Sequence, residues 1–222
     1  MEKMIGIKYT LNRLSPSNDL DDYIFNINGD ICYLDATKPD GKNEQKIGKI
    51  TAYLVNVTDC LNEDTSIEHV MDNHSNNVYQ YYDLLIDRSK NDFKKDLIED
   101  QEIPSNFNLL IIDRIAIIPK YRKINISLAV ISDLIRVFGH GCGYVVTKAF
   151  PLQFEVGTRS DDYERLGPNE LARDKELATL KLKGHYSKLG FRNIKGTDFM
   201  LLNLDYCDRP IIDFKDDKFV LC

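Results

Sequence analysis

The chain has 222 residues, 43% of them hydrophobic and 29% charged, with 35 acidic against 29 basic side chains and a formal net charge of −6. That length fits one large domain, 1–222, and the apolar fraction supplies a core, which excludes a disordered, collagen-like or coiled-coil chain. The acidic balance argues against nucleic acid and membrane as partners, and no apolar run of about 18 residues reads as a span. Five cysteines, Cys32, Cys60, Cys142, Cys207 and Cys222, form no CxxC pair, so neither a disulfide framework nor a zinc module is expected. With an N-terminus that lacks a secretory core, the composition predicts a soluble cytoplasmic protein with reduced thiols.

In chain order, residues 23–27 and 31–34 flank Asn28-Gly29-Asp30, a tight-hairpin signature that predicts two strands. Pro39-Asp40-Gly41 predicts a second turn, and residues 45–57 a longer strand with Gly48 at a bulge. An antiparallel meander therefore opens the chain. Ile67, Met71, His74, Val78, Tyr81 or Tyr82, and Leu85 then recur at helical spacing behind the capping box Thr65-Ser66-Ile67-Glu68, so one amphipathic helix is expected over 65–86. His74 lies on its apolar stripe with no partner at ligand spacing, which predicts a packed histidine and no metal site. Residues 89–105 are charged and carry Pro104, as a surface loop or short helix would.

Residues 107–118 are almost continuously aliphatic, as in a central strand covered on both faces, and Pro119 ends it. Residues 124–138 form an apolar helix with one polar stripe, stopped by Gly139-His140-Gly141-Cys142-Gly143, and residues 144–150 resume a strand. Strand, basic turn, helix and strand make a βαβ unit with a parallel crossover. The polar stretch from Pro151 to Gly167-Pro168 is long enough to predict a functional loop. Asn169 is expected to cap a helix that runs to about Lys188, with Gly190 at its C-cap. Residues 192–194 and 199–204 predict a hairpin, and residues 210–222 an extension docked as an extra strand.

The junction Ile117-Ile118-Pro119-Lys120-Tyr121-Arg122-Lys123-Ile124-Asn125-Ile126-Ser127, followed later by Tyr186-Ser187-Lys188-Leu189-Gly190-Phe191, resembles the Gcn5-related N-acetyltransferase superfamily. Motifs of that family read V-x-P-x-Y-R-x-x-G-x-G and Y-x-K-L-G-F. The second matches in full and the first in part, over residues 107–204. The resemblance implies an α/β acyl-CoA N-acyltransferase-like fold, a mixed central sheet flanked by helices, here with extra N-terminal strands and a C-terminal extension. It implies acetyl-CoA or another acyl-CoA as cosubstrate, no metal, and a small-molecule or protein amine as acceptor, and it is compatible with a homodimer. By the same resemblance the pantetheine arm lies along the strand edge at Ile115, Ala116 and Ile117, and the pyrophosphate at Arg122, Lys123, Ile124, Asn125, Ile126 and Ser127.

Elementary electrostatics agrees, because a helix N-terminus offers unpaired N–H groups and about half a positive charge to an anion, and Arg122 and Lys123 add counter-charge. Asn125 and Ser127 stand where the family has glycines. Asparagine tolerates unusual backbone angles and serine is small with a donor hydroxyl, which is compatible with the loop surviving, with weakened or lost cofactor binding as the other outcome. The alternative is an acetyltransferase-like scaffold without tight cofactor binding, acting as a ligand-sensing or protein-interaction module. A helix that follows three strands also departs from the family, whose first helices follow the first strand.

The reaction sets the side-chain needs. At pH 7 an alkyl ammonium of pKa about 10.4 is free amine only about once in 2,500, a handicap of about 4.6 kcal/mol that a general base relieves. Asp113, a carboxylate inside an apolar strand, is the candidate base, where burial is expected to raise its pKa. An ion pair with a basic neighbour is the alternative role, although adjacent Arg114 is expected to face the other side of the strand. The resemblance gives Tyr186 the part of acid toward the departing thiolate, against simple packing on the sheet. His185 is expected to point elsewhere than Tyr186, toward the surface or behind the site residues as a supporting contact.

Overall fold

The computed structural model describes residues 3–12, 20–35, 44–90, 92–98, 103–122, 124–155, 173–206 and 219–221. Its main sheet contains β1 (Lys3–Asn12), β2 (Ile24–Asp35), β3 (Glu44–Val55), β6 (Asn108–Ile117), β7 (Cys142–Lys148), β8 (Arg192–Asn193), β9 (Phe199–Asn203) and β10 (Phe219–Leu221). The order is β10-β1-β2-β3-β6-β7-β9-β8, antiparallel except at β10–β1 and β6–β7. Helices α1 (Val57–Asn62), α2 (Ile67–His74) and α3 (Asn76–Leu85) cover one face, and α4 (Ile126–Phe138) and the C-terminal turn of α5 (Lys175–Tyr186) pack on the other. The expected mixed α/β sheet is present, as is the order strand, helix, strand, helix, hairpin over residues 107–204.

The N-terminal third differs from expectation at particular residues. Residues 3–12 form a full strand that the sequence reading did not predict. Asn28-Gly29-Asp30 lies in the middle of the continuous strand β2 instead of turning a hairpin. A Cβ on Gly29 would stand 2.6 Å from Ile50 Cγ2 and 3.1 Å from the Tyr9 ring, so this glycine makes room for its cross-strand neighbours. The helix expected over 65–86 is two helices, because Ser75 leaves the helical region at φ −177 and ψ 155 and its hydroxyl accepts from Val78 N–H at 3.3 Å. Ser66, not Thr65, caps α2 and accepts from His69 N–H. Apolar positions on both short helices still reach the sheet, which is why they read as one stripe. Residues 86–93 hold a small hairpin of β4 (Ile86–Asp87) and β5 (Asp92–Phe93) where a loop or helix was expected.

Elsewhere the sequence reading holds. The β2–β3 register shifts beside Gly48, Gly190 takes the left-handed C-cap at φ 87, β8 and β9 form the predicted hairpin, and β10 pairs with β1. Helix α5 begins at Lys175 under an Asp174 cap, and Asn169 lies outside the described residues, as do Pro39-Asp40-Gly41, Lys123, Cys207, Cys222 and residues 156–172. His74 is half-buried and edge-on to Tyr53. Among the described residues no group of His, Cys, Asp and Glu gathers as a metal site, and no helix is long and apolar enough to cross a membrane.

Strand β6 changes its inward face part-way along. Leu110 and Ile112 pack toward α4 and α5, whereas Leu109 and Ile111 pack toward α1–α3. Further on, the odd-numbered Ile115 and Ile117 face α4 and α5. One extra residue causes the switch: Ile112 pairs with Ala52 and Arg114 with Thr51, so Asp113 is a bulge with no opposite number. Pairing of β6 with β7 ends at the same place, Ile112 with Thr147.

Gly48 lies opposite the far half of β6, and a Cβ there would stand 2.5 Å from the Ala116 carbonyl oxygen. Since main chain cannot swing aside as a side chain does, Gly48→Ala is expected to cost about 1–3 kcal/mol. Urea denaturation should show a lower midpoint at unchanged slope. An unchanged midpoint would contradict this packing.

Candidate functional site

The candidate site is the wedge between β6 and β7. The Ile118 N–H donates to Ile47 in β3 at 2.9 Å, so by strand alternation the main chain of Ala116 also faces β3 while that of Ile115 and Ile117 faces the wedge. Among the described residues no strand pairs with that edge beyond Ile112. The Ile117 carbonyl accepts from Arg122 Nε at 2.8 Å. Ile115, Ala116 and Ile117 therefore form a strand edge one side of which is open among the described residues.

At the end of that edge a short turn leads into α4. Asn125 adopts φ 57 and ψ 14, the left-handed conformation a glycine would supply, and its side chain makes no capping bond. The helical ladder onto the Asn125 carbonyl starts with Leu128 and Ala129, so among the described residues the first-turn N–H groups of Ile126 and Ser127 have no intrahelical acceptor. Arg122 sits beside the turn, Ile124 packs partly on the core, and Lys123 is outside the described residues. Of the two places expected for His185, the structure shows the supporting one: it is half-buried and its Nε2 lies 2.7 Å from Ser127 Oγ. Burial, then Lys188, lowers its pKa, which keeps the imidazole neutral against the hydroxyl at neutral pH.

On the α1–α3 face stands a charged group. Arg114 Nε donates to Asp113 Oδ2 at 3.0 Å, and the same guanidinium spans to Glu155, with Nη2 to Oε1 at 3.0 Å and Nη1 to Oε2 at 3.4 Å. The expectation that Arg114 is a poor partner for Asp113 is thereby corrected. Simple alternation fails at a bulge, where consecutive residues are no longer thrown to opposite faces. Tyr53 lies beside the pair, its pKa raised by burial and then by Asp113. Glu155, Tyr53 and Tyr81 carry no motif, so only the three-dimensional arrangement reveals them.

Tyr186 ends α5 and is buried in the core under α4, its ring 6.2 Å from that of Phe191. Burial pushes its phenol up to about 12, and among the described residues its hydroxyl has no hydrogen-bond partner. A buried hydroxyl without a partner costs free energy that a ligand acceptor would return.

No protein-family model matches the chain, and no curated protein matches it. Among solved structures, it is similar to NAA60 of Arabidopsis thaliana in complex with acetyl-CoA, at 15% identity over 79% of this chain and 76% of that one, with a TM-score of 0.38. The same plant protein in complex with a bisubstrate analogue is 18% identical over 81% and 74% of the two chains, with a TM-score of 0.34. Likeness at that level carries no weight beside the strand order and the open edge.

Two outcomes check this site. Asn125→Gly should keep the stability of the fold within about 0.5 kcal/mol, whereas Asn125→Val, forced left-handed with a branched Cβ, should lose about 1–2 kcal/mol in urea denaturation. Equal losses would contradict the left-handed turn. For Tyr186, a folded pKa above the ordinary value near 10 means its stabilising share is complete below pH 10 and is lost as pH climbs toward 12. The melting temperature of Tyr186→Phe should therefore fall less steeply over that alkaline range than the parent's, and parallel falls would contradict the burial.

Proposed function

We propose that the chain is an acyl-CoA-dependent N-acyltransferase that moves an acetyl group to a primary amine by direct attack. The observation that carries this function is the open edge of β6, which leads straight to a left-handed turn and a helix N-terminus beside Arg122. That arrangement suits a long amide chain ending in a pyrophosphate: Ile115 and Ile117 offer main-chain groups to the amides, and Ile126 and Ser127 offer N–H groups to the phosphates. Coenzyme A, when bound, supplies the acyl thioester.

In the transfer, the amine nitrogen bonds to the thioester carbonyl carbon, the carbon–sulfur bond breaks, and the proton leaves the nitrogen. Asp113 receives that proton directly or through water, with Arg114 fixing its carboxylate. Tyr186, held neutral by burial, is in the protonated state that the departing sulfur requires of a donor. Asp113, Arg114 and Glu155 together carry one surplus negative charge, which favours a cationic acceptor such as an alkyl ammonium. The acceptor is a small metabolite or an amine of a protein, and the site of action is the cytoplasm.

Calorimetric titration with acetyl-CoA should give saturable heat, and release of free thiol should follow addition of a responsive primary amine. Tyr186→Phe should lower kcat by about a hundredfold while leaving acetyl-CoA affinity within about threefold. No heat and no thermal shift with acetyl-CoA at millimolar concentration would overturn the function, and an unaffected rate in Tyr186→Phe would overturn the role of that phenol.

A further inference from the structure

The parting of β6 from β7 is finished by side chains on both faces of the sheet. On the α4 face the buried Thr147 hydroxyl donates to the Ile112 carbonyl at 2.9 Å, closing the last pair of the ladder. On the other face α3 delivers Tyr81, 1% exposed and edge-on to Phe199 with ring centroids 5.2 Å apart. The main chain of Lys148 points into the gap, because its neighbour Ala149 bonds outward to Asp198 at 2.8 Å, as Gly143 does to Leu204 at 2.9 Å. Among the described residues β6 does not pair with β7 beyond Ile112, and Tyr81 packs there on Phe199, the residue of β9 that pairs with Lys148. The preceding α3 residue grips the same lysine: Lys148 Nζ donates to Gln80 Oε1 at 3.0 Å.

Tyr81 thus stands where the ladder would have continued. It belongs to the core under α3 and Tyr186 to the core under α4, on opposite faces of the sheet. They flank the gap from opposite sides. Behind Tyr81 the helix offers no space, since Val78 and Leu85 are fully buried.

We propose that Tyr81 is the end wall of the cleft and limits the transferred group to a short acyl chain. This specificity rests on the acyl-CoA function proposed above. A thioester laid along Ile115–Ile117 brings its acyl carbon to the point where the strands part, with a buried phenol beyond. A two-carbon group stops short of the ring. Each further methylene meets it or must drive Tyr81 out of a packed core, and overpacking a core costs more than the burial of a methylene returns. The amine approaches on the Asp113–Arg114–Glu155 side, so the wall and the acceptor entrance are separate features.

The test compares the parent protein with Tyr81→Phe and Tyr81→Leu against acetyl-, butyryl- and hexanoyl-CoA by calorimetry, with Tyr81→Met as the second variant where Leu does not fold. The parent and Tyr81→Phe should bind acetyl-CoA at least about tenfold more tightly than hexanoyl-CoA, and Tyr81→Leu should shrink that ratio about tenfold. An unchanged chain-length ratio in folded Tyr81→Leu or Tyr81→Met overturns the end wall while leaving the acyl-CoA function standing. Failure of the parent to bind any of the three thioesters overturns both the function and the wall.

Discussion

One residue more in β6 than in the facing stretch of β3 governs the half of this molecule that holds the candidate site. Were Asp113 paired with Thr51 instead of bulged, Arg114 would fall opposite Ile50 and inherit the inward position now held by Ile115, and a guanidinium would enter the core under α4. With the bulge, the apolar alternation resumes one step later, Arg114 turns to the side of Tyr53, and the carboxylate of the bulged residue comes within 3.0 Å of the guanidinium. The same residue marks where β7 lets go. A ladder that ends inside a sheet leaves polar main chain in an apolar place, at a cost of about 1–3 kcal/mol for each group left unpaired. Thr147 satisfies the Ile112 carbonyl and Arg122 the Ile117 carbonyl. The Ile115 main chain has no such partner among the described residues, and it lies at the centre of the edge offered to a ligand.

Charge is sorted along this cleft in a way that the total of −6 conceals. At one end Arg122 is pinned by its own Nε to the last carbonyl of β6, so its charge stays beside the turn instead of sweeping solvent. At the other end Arg114 is shared by two carboxylates, and the side-chain exposure of 12% at Asp113 against 38% at Glu155 places the first inside the wall and the second at its rim. A cation approaching from outside meets Glu155 first and Asp113 last. The half-buried partner carries most of the interaction, since solvent screens the rim.

What the sequence disclosed follows from the range of the forces involved. The aliphatic run at 108–117, the helix after Asn125 and the Gly190 cap are local patterns, and each was legible because burial or a single backbone angle dictates the residues. Asn28-Gly29 misled because the same small residue that permits a tight turn also permits a Tyr9 ring and an Ile50 methyl to close over a strand. Ser75 was hidden by the stripe on either side of it: two short helices hinged at a serine bury the same positions as one long helix. The Asp113 bulge was invisible for a different reason. Whether one strand holds an extra residue is decided only against its partner, and no pattern within β6 states the register of β3. His185 near Ser127 and Tyr81 near Lys148 are likewise contacts across the fold, made by residues that look ordinary on their own helices.

The helices inserted after three strands are the part of the chain that fitted the resemblance least, and they complete the cleft. Helix α3 reaches the parting only because it crosses the face of the sheet opposite α4, with Tyr81 packed on Phe199 and Gln80 holding the side chain of Lys148. On the α3 face the parting of the strands is closed at β7 by Tyr81 and left polar at β6 by Arg114 and Glu155. The asymmetry comes from the two strands themselves. β7 ends its ladder at Thr147 without an extra residue. β6 carries the bulge, and the bulge turns a charged pair outward where a substrate can meet it.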